Sequence, residues 1–284
     1  MRYIVTGNSD VGKVKKVNQD SFCVKIADTG KGKAVFAVLC DGMGGFEQGE
    51  LASATVVKAY VKWFEESFLE NITLMDYMRI KWDWERLAYR LNEAISAYGT
   101  TNNIKIGTTA TVFLIYCDQF YVMNVGDCRL YRLAENIEQI TNDHSWVALQ
   151  VELGNMTKEE ARLDKRNNKL LQCIGAMWEV KPDFFTGNVV EDNVFMMCCD
   201  GVRNKVNDEE LFYFLHPSCL VDEKIMNNNM LYLFELNKLR DERDNMTIIL
   251  IRAVESTMII HDDETDFVIE KEITFMESKK YLEI

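Results

Sequence analysis

Residues Ala34-Val35-Phe36-Ala37-Val38-Leu39-Cys40 make an unbroken apolar run of strand length, and the run stops on Asp41-Gly42-Met43-Gly44-Gly45. With no polar residue to mark a solvent side, the run predicts a strand buried on both faces. The same pattern returns at Val194 to Cys199, ended again by an acid and a glycine, Asp200-Gly201. An aspartate directly after such a strand stands where the backbone leaves the core. Its carboxylate can therefore point into a cleft without being stranded among apolar groups.

Around these two strands the sequence reads as one body. From Glu47 to about Phe68, Leu51, Ala54, Thr55, Lys58, Val61 and Phe68 fall at rough helical spacing, and one face of that helix can pack on the first strand. A second helix is predicted where Trp84, Leu87, Leu91, Ile95 and Tyr98 recur every three or four residues until Gly99. Thr109 to Cys117, Phe120 to Val125 and Arg129 to Leu133 are strand-like runs separated by polar turns, which reads as an antiparallel meander. A short helix is expected over Ser145 to Gly154, opened by the capping candidates Asp143 and Ser145. Further helices are expected at Asp208 to Leu215 and near Leu231 to Asp241, before a final strand from Met246 to Arg252. With only two prolines, no internal repeat and no linker-like stretch before residue 253, residues 1–252 are treated as one domain. Residues 253–284 form an acidic extension, nine acids against three lysines. There Phe267, Ile269, Ile273 and Phe275 favour an added edge strand over a regulatory tail.

Composition removes several classes of function. No segment approaches the ~20 consecutive apolar residues of a membrane span, and the start lacks a signal peptide's apolar run and cleavage site, so a cytoplasmic, non-membrane protein is expected. The eight cysteines contain no C-x-x-C pair and sit mostly in apolar runs, as buried free thiols of a reducing compartment would. A net charge of −13 argues against a nucleic-acid partner, whereas excess carboxylate suits hard cations. Gly7-Asn8-Ser9-Asp10-Val11-Gly12-Lys13 has the glycine and lysine spacing of a nucleotide-binding loop. However, Val14 stands where that motif needs a hydroxyl for Mg²⁺, and no helical apolar face follows, so ATP or GTP binding is rejected.

The acids themselves are better placed. Asp244 stands just before the last strand and Asp127 in the turn Val125-Gly126-Asp127. A sheet arrangement that joins these ends with Asp41 and Asp200 gathers four carboxylates, which repel one another unless divalent cations neutralise them. Oxygen ligands without histidine or thiolate favour Mg²⁺ or Mn²⁺ over zinc.

Each Asp-Gly pair alone is a common turn. The ordered set is far more specific: Asn18-Gln19-Asp20, Asp41-Gly42-Met43-Gly44-Gly45, Gly107-Thr108-Thr109-Ala110, Asn124-Val125-Gly126-Asp127-Cys128-Arg129, Asp143-His144-Ser145, Asp200-Gly201-Val202 and Asp244-Asn245-Met246-Thr247. Over roughly residues 5 to 252 this series resembles the type 2C, metal-dependent protein phosphatase family in its bacterial branch. The resemblance implies an α+β fold, a four-layer α-β-β-α sandwich of two antiparallel sheets flanked by helices, with a binuclear metal centre in a cleft at one end. It implies Mn²⁺ or Mg²⁺, two ions and a weaker third. Asp41 would bridge the pair, with the Gly42 carbonyl as a further ligand, and Asp200 and Asp244 would complete the primary site. Asp127 with Asp200 matches the third position, and Asp20 matches a direct or water-mediated ligand of the second ion. The implied reaction is hydrolysis of phosphoserine or phosphothreonine on proteins by direct attack of a metal-bridging hydroxide, without a phosphoenzyme.

Several positions depart from the family pattern. Lys15 stands where relatives carry a phosphate-binding arginine, so the phosphate contact is a point charge instead of a bidentate fork. Gln19 replaces a glutamate beside Asp20, and Met43 replaces the histidine of animal relatives. His144 is assigned a structural role at a helix start, not a catalytic one. Lys15 and Gln19 are also the only support for the alternative, a pseudophosphatase that binds phosphoproteins with little turnover. A small phosphomonoester as substrate is a third reading. The segment from about Trp146 to Leu170 is expected to lie near the cleft as a flap. The partners expected are phosphorylated proteins made by a cognate serine/threonine kinase, met by a monomer.

Overall fold

The computed structural model describes residues 1–30, 32–43, 48–255 and 267–284. Its strands are β1 (Arg2–Asp10), β2 (Ser21–Asp28), β3 (Lys33–Cys40), β4 (Ala110–Tyr116), β5 (Gln119–Val125), β6 (Arg129–Leu133), β7 (Ile137–Gln139), β8 (Asp183–Asn188), β9 (Val194–Cys198), β10 (Met246–Val254) and β11 (Val268–Met276). The helices are α1 (Gly49–Lys62), α2 (Tyr77–Asn102), α3 (Trp146–Glu152), α4 (Lys158–Leu163), α5 (Asp200–Arg203), α6 (Asp208–Leu215) and α7 (Glu223–Leu239). Two antiparallel sheets form, in the orders β1-β10-β9-β6-β7 and β11-β2-β3-β4-β5-β8.

The unbroken apolar run of β3 is explained by what covers each side of it. Side chains alternate across a strand, and here both sets are claimed. Val35, Ala37 and Leu39 join the sandwich interior with Phe22 and Val24 of β2 and with Phe195 and Ile249 of the facing sheet. Ala34, Phe36, Val38 and Cys40 face outward, but into a second core under α1 and α2. There the Phe36 ring stacks on Phe64 at 4.8 Å, and Trp63 meets Trp84 edge-on at 5.3 Å. On the opposite sheet Leu211 and Leu215 of α6 and Met230 and Phe234 of α7 supply the fourth layer. The α-β-β-α order implied by the resemblance is thus the one observed.

The antiparallel register also decides where the loops meet. Ser21 pairs with Cys40, Ala110 with Val125, Arg129 with Cys198, and Asp10 with Met246. The end of one strand is therefore beside the start of the next, and the junctions carrying Asp20, Asp41, Asp127, Asp200 and Asp244 emerge at one end of the sandwich.

Some elements differ from the sequence-based expectation. The runs read as a meander do not form one: β4 and β5 pair, but β6 crosses to the other sheet beside β9. The corner is Gly126, whose φ of +109° is closed to residues with a side chain, and this abrupt turn carries the chain between sheets. The second helix does not stop at Gly99 but runs to Asn102, ended by Asn103 in the left-handed conformation. The last helix begins at Glu223, not near Leu231, because the Asp222 carboxylate caps it by accepting from the Ile225 amide at 2.8 Å. Ser145 alone caps α3, while Asp143 is taken by an arginine. All eight cysteines are free, but Cys117 and Cys219 are exposed instead of buried, since Cys117 falls in the turn just after β4 and Cys219 in a short 3₁₀ turn after α6. The nucleotide-loop look-alike starts on β1, which pairs with β10 as far as Asp10, and its last residues form the turn after that strand. Glu47, Gly44 and Gly45, named above in the first helix and the glycine motif, lie outside the described residues. So does part of the acidic extension, residues 256–266. Val268–Met276 of that extension pairs with β2 as an edge strand, held by Lys25, whose ammonium sits 2.7 Å from both Glu65 and Glu272.

Candidate metal centre

Asp41 follows β3 directly, and two threonines hold that turn. The Thr109 hydroxyl accepts from the Asp41 amide at 2.8 Å, and the Thr108 hydroxyl donates to the Asp41 carbonyl at 2.9 Å. Gly42 comes so close to neighbouring backbone that an added Cβ would lie 2.5 Å from the carbonyl oxygens of both Gln19 and Gly49. Only glycine lets the three segments meet there.

Asp20 is fixed by a chain of hydrogen bonds with one direction. The Thr247 hydroxyl donates to Asp20 Oδ2 at 2.5 Å, so its oxygen must accept from Ser9 Oγ at 2.7 Å. Ser9 Oγ accepts in turn from Asn18 Nδ2 at 2.8 Å. Asn245 ties the same loop to β10, accepting from the Gln19 amide at 2.9 Å and donating to the Val11 carbonyl at 3.0 Å. With Oδ2 held in this way, the buried Oδ1 of Asp20 is left with no hydrogen-bond partner among the described residues. A buried carboxylate oxygen without a donor is costly unless a cation completes it.

The electrostatics agree. Burial pushes the Asp20 carboxyl up to about 6. Burial, with the charges of Asp127 and Asp244 beside it, pushes Asp200 up to about 8. Asp41 is held well above the ordinary carboxylate range by removal from water and by Asp20, Asp200 and Asp244. Among the described residues none of Asp20, Asp41 and Asp200 has a basic nitrogen within 4.0 Å. Asp244 does: Lys15 Nζ lies 2.7 Å from its Oδ1. Burial works against the Lys15 charge, but Asp244, backed by Asp41 and Asp200, holds the ammonium above its usual range.

Asp127 reaches the same end of the sandwich but has its own cation. Arg203 Nη2 lies 3.2 Å from Asp127 Oδ2 and 2.9 Å from the Asp127 carbonyl oxygen. Gln19 turns its amide toward Glu50 at 3.4 Å, at the start of α1. His144 has both ring nitrogens engaged: Nδ1 accepts from the Gly126 amide at 3.3 Å and Nε2 lies 3.1 Å from Asp183. Those contacts give it the structural part read from the sequence. Residues 146–170, expected above to act as a flap, carry α3 and α4, and at their base the Trp146 amide donates to the Lys169 carbonyl at 2.8 Å and the Leu171 amide to the His144 carbonyl at 2.7 Å.

Three residues of the site escaped the sequence reading. Cys199 Sγ and one oxygen each from Asp20 and Asp41 lie within 4.8 Å of one another. Its adjacency to Asp200 at a strand end was the available signal. Burial and the charges of Asp20 and Asp41 keep that thiol protonated, and it accepts from the Thr247 amide at 3.1 Å, so the donor set remains oxygen. Thr247 sat inside a quoted motif without a role. Arg203 could have been suspected from its place one helical turn after Asp200. Oxygen donors, an orphaned Asp20 oxygen and three carboxylates without a counter-charge together fit a hard divalent pair.

Comparison with known proteins is consistent with this geometry. A family model described as protein phosphatase 2C matches residues 10–231. The serine/threonine phosphatase stp of Listeria innocua is 27% identical over 246 residues, covering 86% of this chain and 93% of that protein. The serine/threonine phosphatase Stp1 from Staphylococcus aureus superposes with a TM-score of 0.76 at 28% identity, covering 90% of this chain and 96% of that one. The catalytic domain of the serine/threonine protein phosphatase PstP, solved in complex with two manganese ions, gives a TM-score of 0.71 at 25% identity over 89% of this chain and 99% of that one.

Proposed function

The chain belongs to the protein phosphatase 2C family, and on that premise we infer that it is a metal-dependent hydrolase removing phosphate from phosphoserine and phosphothreonine of proteins. The observation that carries this reading is the cluster of Asp20, buried, with Asp41 and Asp200, half-buried, none with a basic nitrogen within 4.0 Å among the described residues. A phosphoprotein-binding module with little turnover would not need three such carboxylates held against their mutual repulsion.

In this reading Asp41, with the Gly42 carbonyl, Asp200 and Asp244 would hold one ion, and Asp41 and Asp20 would hold the second. When bound, Mn²⁺ or Mg²⁺ acidifies water and offsets charge on the phosphoryl oxygens. The chain's own part is placement. Thr108 and Thr109 fix the Asp41 turn, and the Asn18-Ser9-Thr247 relay engages Asp20 Oδ2 and so fixes which Asp20 oxygen is left for an ion. Lys15 would supply the phosphate contact from its place beside Asp244, 2.7 Å from Oδ1. The Cys199 thiol and Met43 bring no charge to the reacting phosphoryl group.

The direct test is hydrolysis of a phosphothreonine peptide with Mn²⁺ and with chelator. Manganese-dependent phosphate release is expected, and a purified, manganese-loaded chain that leaves every phosphoester intact would overturn the reading. Lys15→Ala should raise KM more than it lowers kcat and reduce kcat/KM about tenfold to a hundredfold, the worth of one charged hydrogen bond. An unchanged KM would remove Lys15 from the phosphate site. Thr247→Val should weaken Mn²⁺ binding about tenfold to a hundredfold, as loss of a group that orients a ligand does, and titration calorimetry reads it.

The finer points belong to the same proposal. The substrates are products of a serine/threonine kinase, and an Asp200→Asn trap that enriches no phosphorylated protein over the unmodified chain would count against that. Work as a monomer is supported by the net charge of −13, which resists self-association. Eight free cysteines suit a reducing cytoplasm. Residues 1–252 would be the catalytic body with the flap over 146–170, and 253–284 an extension that adds β11 at the sheet edge.

A further inference from the structure

The acids at the catalytic end divide into two groups by where their counter-charge comes from. Asp20, Asp41 and Asp200 have no basic nitrogen within 4.0 Å among the described residues. Asp127 belongs to a different set, built with Asp143, Arg129 and Arg203. Arg129 grips Asp143 with two bonds, Nε to Oδ1 at 2.8 Å and Nη2 to Oδ2 at 2.7 Å. Arg203 Nη2 reaches Asp127 Oδ2 at 3.2 Å, the Asp127 carbonyl at 2.9 Å and Asp143 Oδ2 at 3.5 Å. Arg129 is further anchored by donating to the Tyr131 hydroxyl at 2.6 Å, which donates to Asp208 at 3.1 Å. Two carboxylates and two guanidinium groups make a neutral set. The Asp127, Asp143 and Arg203 side chains are only 7%, 7% and 14% exposed, so solvent screens them little.

The backbone makes this pairing hard to avoid. α5 begins at Asp200, and Arg203 ends that single turn, so its side chain leaves the same face as Asp200. A divalent ion bridging Asp127 and Asp200 would have to share that space with the guanidinium. Arginine cannot shed its proton to make room, and in a site shielded from solvent the repulsion between the two cations would be strong.

We propose that Arg203 takes the place of a third divalent ion, so that Asp127 is neutralised from within the chain and the centre closes at two ions. The inference rests on the two-ion reading given above, and it places Arg203 as a positioning residue that fixes Asp127. On this proposal Asp127 departs from the sequence-based expectation of a ligand: the carboxylate is present where expected, but its Oδ2 already accepts from Arg203.

The experiment counts bound manganese. The unmodified chain, dialysed against saturating Mn²⁺ and read by elemental analysis and calorimetry, should hold two ions per chain. Asp127→Asn should also hold two, with affinities within about threefold of the parent, whereas loss of a true ligand would cost at least the ~10–100-fold seen when an outer partner is removed. Arg203→Ser should gain one weaker ion, for three per chain, and adding Asp127→Asn to it should return the count to two. Arg203→Lys, which keeps the charge, should stay at two. Three ions in the unmodified chain, falling to two in Asp127→Asn, would overturn the proposal, as would a folded Arg203→Ser that stays at two. If no variant of Arg203 folds, the comparison of the parent with Asp127→Asn decides alone. A parent that binds no manganese would overturn the two-ion reading and this inference with it, a result distinct from a count of three.

Discussion

Asp41→Asn is expected to lower kcat/KM for a phosphothreonine peptide by at least ~10³-fold, the scale of losing a group that organises transition-state charge. The same substitution should make the chelator-treated protein more stable. Asp41 is half-buried, and its desolvation together with the charges of Asp20, Asp200 and Asp244 raises its pKa. An amide of the same shape removes one negative charge from that group, and Thr108 and Thr109 bond to the backbone of residue 41, not to its carboxylate, so the turn itself survives. Each kcal/mol regained should raise Tm by ~2 °C in a chain this long. The pair of outcomes is diagnostic. Loss of activity with a lowered Tm would say that Asp41 is a structural residue, and retained activity would remove it from the metal centre.

In chelator, stability should fall as pH rises from about 4 to about 8, and manganese should abolish that fall. The sign follows from the direction of the shifts. Asp200 is pushed up to about 8 and Asp20 to about 6, against an ordinary 3.8. Between the unfolded and folded values the folded chain holds protons that the unfolded chain has released. Stability is therefore lost at ~1.4 kcal/mol per pH unit for each proton so held. Divalent ions displace those protons and supply the missing counter-charge. At a hundred times its Kd each ion should add ~2.7 kcal/mol, so two ions should raise Tm by several degrees at pH 8. Melting curves at pH 5 and pH 8 with and without Mn²⁺ measure both effects. A pH-independent Tm in chelator, or no response to manganese, would mean that these acids are compensated by something other than the metal.

Much of the frame could be read from local pattern. The run from Ala34 to Cys40 required cover on both faces, and β3 has it, interior on one side and α1 with α2 on the other. The acids at strand ends were legible because an ionised side chain cannot remain inside an apolar layer. The path after Val125 was not legible, since one residue with positive φ, Gly126, redirects β6 to the other sheet, and no periodicity records such a corner. Helix ends were missed for a related reason. Asp222 and Asn103 act through single cap geometries that the apolar spacing of α7 and α2 does not reveal.

The sequence by itself determined a strand buried on both faces, the strand-end carboxylates and their order along the chain, because hydrophobic periodicity and charge act on neighbours a few residues apart; the four-layer order came only from the resemblance. Only the tertiary structure decided how those carboxylates divide. Asp127 and Arg203 are 76 positions apart, and Asp20 and Thr247 are 227 apart. Whether an acid faces a guanidinium, a hydroxyl or no partner depends on which loops the antiparallel register brings to one end, a long-range property that no local stretch of the chain encodes.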